Sequence, residues 1–217
     1  MTQHLAPQQA TAQDSAIRFP DEFAQRYRDA GYWTGQTHTG LLEAAAAAHP
    51  EAIAVIDDRR RLTYAELLAG ARGLARGFAA AGWQPGERVV VQLPNVSEYL
   101  EVIFGLFDAG LLPVFALASH GRAEIDDLIT RSEAVGYVIA DRLGNGSHEA
   151  TAADLAQAHP GVTVVVARPA GTTGELPALD DFRVADAAST GRSSAPDQVA
   201  FLQLSGGTTG APKMIGR

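Results

Sequence analysis

Within residues 205–213, Ser205, Thr208 and Thr209 offer hydroxyls, Gly206, Gly207 and Gly210 offer bare backbone, and Lys213 offers a positive charge. That combination suits one kind of chemistry, the holding of a phosphate-like anion. Glycines admit positive φ and close approach, so successive N–H groups can turn inward on one oxyanion. The hydroxyls add donors and the lysine adds a mobile cation. Pro212 keeps Ala211 extended, so Lys213 leaves the loop in a set direction instead of opening a helix. An apolar run over residues 199–204 precedes the loop and reads as the buried strand that delivers it.

Other phosphate loops fit poorly. A Walker loop needs G-x-x-x-x-G-K-[ST], whereas here the lysine follows a proline and Met214 stands where a magnesium-binding hydroxyl belongs. A dinucleotide fingerprint needs the order G-x-G-x-x-G and a ribose-binding acid further on. Gly206-Gly207-Thr208-Thr209-Gly210 has another order, and no such acid follows it before Arg217. Short Gly/Ser/Thr clusters are also ordinary surface loops. The preceding apolar strand and the Pro-Lys pair at a set offset favour the anion cradle.

The run Ser205-Gly206-Gly207-Thr208-Thr209-Gly210-Ala211-Pro212-Lys213 resembles the phosphate loop of the acyl-adenylate-forming superfamily, [ST]-[SG]-G-[ST]-T-G-x-P-K. Its glycine at the second position is similar to the aryl-acid branch, the 2,3-dihydroxybenzoate or salicylate AMP ligases of siderophore assembly. Two further stretches resemble that branch. One is Phe19-Pro20-Asp21-Glu22-Phe23-Ala24-Gln25-Arg26-Tyr27-Arg28 followed by Gly31-Tyr32-Trp33; the other is residues 113–120, in the pattern Pro-Val-x-Ala-x-x-Ser-His.

The resemblance implies that an aromatic carboxylate attacks the α-phosphate of ATP, pyrophosphate leaves, and the aryl-AMP passes to a carrier-protein thiol through downstream regions. It implies ATP with Mg2+ carried on it, and a cytoplasmic enzyme of nonribosomal peptide synthesis. By the same resemblance, Ser205, Gly206, Gly207, Thr208, Thr209, Gly210 and Lys213 bind the β- and γ-phosphates, with Lys213 acting catalytically by neutralising charge. Superfamily members run to about twice this length or more. The chain is therefore read as an N-terminal piece: residues 1–16 a mobile tail, residues 17–217 the first portion of an AMP-binding (adenylation) domain truncated after the phosphate loop. Such a piece is expected to be inactive alone. The alternative is a non-catalytic module that at most binds phosphate weakly.

Composition narrows the partners. Of the 217 residues 46% are hydrophobic and 19% charged, a balance that supports a folded core. A formal charge of −8 with no basic stripe argues against a nucleic-acid surface. The absence of cysteine removes disulfide, thiolate-metal and thiol-nucleophile chemistry from this stretch. Residues 1–13 lack the apolar segment of a secretory signal, and no run approaches the roughly 18 apolar residues that would cross a bilayer, so no membrane association is expected.

The elements that must hold the loop follow in order. Asp21 is placed to cap a short helix with Phe23 and Tyr27 on one face, and Tyr32 and Trp33 to pack this arm onto the body. Residues 40–49 form an alanine-rich helix. Residues 52–56 open a hairpin whose polar turn is 57–60, and Thr63 with Glu66 makes a capping box for a helix whose apolar face holds Leu67, Leu74, Phe78 and Ala81. Residues 88–93 form a buried strand, 96–109 a helix striped by Val96, Leu100, Ile103, Phe104 and Phe107, and 111–117 a further buried strand. This order implies a right-handed crossover in a parallel sheet. Alternation continues with a helix over 122–132, a strand over 137–140, a helix around Leu155 and a strand over 162–167. The fold class is α/β, a doubly wound, mostly parallel sheet with helices on both faces, forming the N-terminal part of a larger adenylation domain. Residues 169–196 wander over the surface as a connector within one domain.

Ser119-His120 follows a strand, at the edge where open α/β sheets place ligands. His120 reads either as structural, bracing the loop from beneath, or as a proton donor or acceptor. His148, His159, His49, His38 and His4 are scattered without ligand spacing, and Asp126-Asp127 and Asp180-Asp181 read as solvated faces. Ser205 lacks the G-x-S-x-G setting of a nucleophile.

Overall fold

Valine-rich strands and amphipathic helices sort into layers around one sheet in the computed structural model, which describes residues 20–143, 146–169, 172–206 and 212–217. The expected tail, residues 1–16, lies outside them. The chain runs through α1 (Asp21–Asp29), α2 (His38–Ala48), β1 (Ile53–Ile56), β2 (Arg61–Thr63), α3 (Tyr64–Ala80), β3 (Arg88–Gln92), α4 (Ser97–Asp108), β4 (Leu112–Phe115) and α5 (Arg122–Ser132). It continues through β5 (Gly136–Ala140), β6 (Arg142–Leu143), β7 (Gly146–Ser147), α6 (Glu149–Ala158), β8 (Thr163–Ala167), a 3-10 turn (Leu179–Phe182), β9 (Leu202–Ser205) and β10 (Lys213–Gly216).

The main sheet has six strands in the order β10-β9-β4-β3-β5-β8, every neighbouring pair parallel except β10 with β9. Val89, Val90 and Val91 of the central β3 are wholly buried, as a parallel strand covered on both faces must be. Val89, Val91, Val138 and Val165 meet Leu74 and Phe78 of α3 and Val102 and Leu106 of α4 on one face. Val90, Val114, Tyr137, Ile139 and Val166 meet Ile125, Leu128 and Ile129 of α5 and Leu155 of α6 on the other. The sheet is doubly wound: from β3 the chain crosses to β4 on one side and then to β5 on the other.

Several local expectations change. Asp21 is the first residue of α1 and not its cap, because Pro20, which suits an extended backbone, takes that place. Tyr32 packs within the arm, its ring 6.3 Å from Tyr27, and stays 76% exposed. Ala81 is an exposed C-cap of α3, one residue beyond its apolar face. β4 stops at Phe115, leaving Leu117 on the surface. β9 begins at Leu202, and only that residue of the strand is fully buried, since β9 lies near the sheet's edge.

The largest change concerns α4. It is a nearly enclosed helix, with Val102 and Leu106 wholly buried along with Glu101 and Asp108, because the sheet covers one side and α2 and α3 the other. Residues 172–196 do run over the surface, and they do so as a strap pinned at several points. Ala178 bridges to Val166 on the β8 edge, Leu179 is buried, and Ser189 and Thr190 donate to the Asp108 carboxylate at 2.5 and 2.9 Å.

Candidate functional site

β9 and β10 form an antiparallel hairpin that closes on the predicted anion loop. Ser205 stands opposite Lys213, and Leu204 opposite Met214. Gly207, Thr208, Thr209 and Gly210 lie outside the described residues. Leu202, Leu204 and Met214 turn toward the α5–α6 side, where they join its apolar cluster. Side chains alternate along a strand, so Ser205 and Lys213 share the opposite face. Directly opposed residues hold their Cβ atoms about 4.5–5.5 Å apart. The hairpin thus brings a hydroxyl and an exposed lysine together where it leads into the loop, and a Cβ at Gly206 would meet none of the described residues within 4 Å. Lys213 opens a strand rather than a helix.

That face is also where α4 lies. Phe201, just before β9, has its ring 5.2 Å from Phe115 and 6.4 Å from Phe107, and His38 stacks on Phe107 at 4.7 Å. This row of rings joins the root of the hairpin to α4. Behind it, Glu101 is 3% exposed and is gripped from two directions, by Arg60 at 2.6 Å and by Arg183 at 3.1 and 2.9 Å. Burial works against the Arg183 charge, but hydrogen bonds and charge from Glu101, then Asp180, hold its guanidinium more firmly protonated than usual. At the start of α4, Asp57 accepts from the Ser97 N–H at 2.7 Å. Hydrogen bonds from Ser97, then from the Arg59 and Arg60 amides, hold its carboxyl well below the ordinary value. The stripe reading of α4 followed only its apolar residues and so did not reach these charged contacts.

Parallel pairing of Val114 with Leu202 puts the loop after β4, residues 116–121, at the same sheet edge as Ser205. A buried polar knot holds it. Gln92, 1% exposed at the end of β3, donates to the carbonyls of Leu117 at 3.0 Å and His120 at 2.8 Å, and accepts from the Tyr137 hydroxyl at 2.5 Å. His120 folds back, its Nδ1 accepting from the Leu117 N–H at 3.3 Å, which leaves Nε2 as the protonated nitrogen of the neutral ring. Sequence reasoning found His120 but missed Gln92 and Tyr137; a glutamine closing a valine strand was the available signal.

From the far face, Arg131 of α5 donates to the Pro212 carbonyl at 3.0 Å and to Asp127 at 2.8 Å. Asp126 meets His159 at 2.8 Å, Asp180 pairs with Arg183 and Asp181 caps the Ala178 N–H. The two acidic pairs lie on solvated faces, as the sequence suggested, and each residue also takes part in a hydrogen bond there. Among the described residues no group of three or more His, Asp or Glu is placed to hold a metal ion, and no helix is long and apolar enough to cross a membrane.

The family model described as AMP-binding enzyme matches residues 42–215. Among curated proteins, the chain is 39% identical over 212 residues to pyochelin synthase PchD of Pseudomonas aeruginosa (strain UCBPP-PA14), covering 98% of this chain and 38% of that protein. It is 40% identical over 199 residues to 2,3-dihydroxybenzoate-AMP ligase of Bacillus subtilis (strain 168), covering 92% and 36%. Among solved structures it resembles Mycobacterium smegmatis MbtA in its apo form, with a TM-score of 0.84 and 41% identity over 96% of this chain and 38% of that one. The chain thus spans less than two-fifths of the length of each of these relatives.

Proposed function

This chain belongs to the AMP-binding enzyme family, and from that membership we propose that the protein containing it uses ATP to activate an aromatic carboxylic acid, 2,3-dihydroxybenzoate or salicylate. A carboxylate oxygen of the acid attacks the α-phosphorus, the bond from that phosphorus to the bridging oxygen breaks, and pyrophosphate leaves with the electron pair. The product is an aryl-AMP anhydride. A carrier-protein thiolate then attacks the acyl carbon, forming a thioester and releasing AMP. Residues 17–217 form the first portion of the adenylation domain, which works in the cytoplasm, where ATP is present.

One observation carries this reading: the hairpin register sets Ser205 and Lys213 side by side at the mouth of a glycine- and threonine-rich loop. The reaction gathers anions, so charge neutralisation and alignment supply most of the acceleration. Ser205 and Lys213, with Gly206, Gly207, Thr208, Thr209 and Gly210, grip the β- and γ-phosphates as pyrophosphate departs. Mg2+ arrives on ATP as part of the substrate. The name of the Bacillus subtilis relative supports the choice of acid.

ATP–pyrophosphate exchange with the full-length protein tests the proposal. Exchange is expected with 2,3-dihydroxybenzoate or salicylate, and Lys213→Ala is expected to slow it by about two to three powers of ten, as removal of one preorganised donor does. Exchange by the variant at the unaltered rate, or ADP and phosphate as products, contradicts it.

A further inference from the structure

We propose that Arg131 is a positioning residue for Lys213, acting from the opposite face of the sheet through the peptide that joins Pro212 to Lys213. This rests on the phosphate-loop reading of residues 205–213.

The chain of contacts is short. Arg131 stands in the last turn of α5, where one end of its guanidinium is fixed by Asp127 at 2.8 Å, one helical turn earlier, and the other donates to the Pro212 carbonyl at 3.0 Å. Proline has no N–H, so that carbonyl is its only backbone handle. The carbonyl carbon and oxygen of Pro212 lie in one rigid plane with the nitrogen and Cα of Lys213. Fixing the Pro212 oxygen therefore sets the plane from which the Lys213 side chain departs. β10 is further anchored by Met214, which packs into the α5–α6 cluster, and by its register with β9.

The two faces divide the work. Arg131 and Met214 hold the strand from the α5 side, and alternation turns Lys213 to the other side, where it is exposed and clear of both. Asp127 offsets much of the Arg131 charge, so its contribution is to direction rather than to the field at the loop. A lysine at position 131 would lack the planar, two-ended grip. Since a small misplacement of a charge-neutralising group weakens transition-state contacts, Arg131 serves turnover without touching the nucleotide.

A double-mutant cycle in the full-length protein tests this. Arg131→Ala is expected to lower kcat/KM for pyrophosphate exchange about five- to tenfold, within the range of one ordinary intramolecular hydrogen bond. In a Lys213→Ala background the same change is expected to cost less than about twofold, because sites acting as one unit are not additive. Equal losses in both backgrounds overturn the inference, since Arg131 would then act independently of the lysine. No loss from Arg131→Ala, with Lys213→Ala still impaired, overturns the inference alone. An unimpaired Lys213→Ala overturns the phosphate-loop reading and the inference with it.

Discussion

Replacing Gln92 with leucine puts an apolar side chain, one methylene shorter, in its place and erases three hydrogen bonds at the sheet edge. The Leu117 and His120 carbonyls lose a donor, but Leu117 is 61% exposed and His120 half-buried, so water can replace it. The Tyr137 hydroxyl has no such recourse. Tyr137 is wholly buried, burial pushes its titration far above the usual phenol range, and at working pH it remains a neutral donor that Gln92→Leu leaves without an acceptor. An orphaned buried hydroxyl costs about 1–3 kcal/mol, and with the lost bonds the variant is expected to be about 2–3 kcal/mol less stable. For a domain of this size that lowers Tm by about 5–10 °C. Tyr137→Phe in the same protein removes the orphan, so the double variant is expected to be no less stable than Gln92→Leu alone, a favourable coupling of at least about 1 kcal/mol. Thermal unfolding of the four proteins gives the cycle, and hydrogen exchange of the amides over residues 116–121 shows whether the loop loosens in Gln92→Leu and stays loose in the double variant. Strict additivity of the two changes would refute the knot as the source of the stability.

Glu101→Ala leaves Arg60 and Arg183 facing each other without their shared carboxylate, and should cost about 2–4 kcal/mol in urea unfolding, less than a fully enclosed pair because the Arg60 side chain is 34% exposed. A loss below about 0.5 kcal/mol would show the clamp to be incidental. Asp57 has its carboxyl depressed from an ordinary 3.8, so the stability it lends is complete above that value and falls away as pH drops through it toward the lower folded value. Asp57→Asn should flatten the decline of Tm with acidification in that window, and an unchanged acid limb would count against the assignment. Gly77→Ala should destabilise by about 1–3 kcal/mol, since a Cβ there runs into the Phe182 carbonyl of the strap. Helix propensity alone predicts a gain of up to about 1 kcal/mol, so the sign of the change in Tm decides which effect rules.

The features legible in the chain are those whose cause is local. The Thr63–Glu66 capping box was readable because both partners sit in one turn, and it forms as expected, with the Glu66 carboxylate bound to the Thr63 N–H at 2.8 Å. The span 122–132 of α5 and the valine run of β3 were readable for the same reason, their periodicity being a property of a few adjacent side chains. The glycine, threonine and lysine spacing of residues 205–213 is likewise local, and it is what suggests an anion-binding loop there. Folding decided the pairings between distant residues: Arg183 with Glu101 across 82 positions, Arg131 with Pro212 across 81, and β3 taken as the centre with β4 and β5 to either side. No local pattern encodes such partners, because a charged side chain looks the same in sequence whether water or an opposing charge meets it, and only packing α4 between two layers turns Glu101 from a surface residue into a buried clamp.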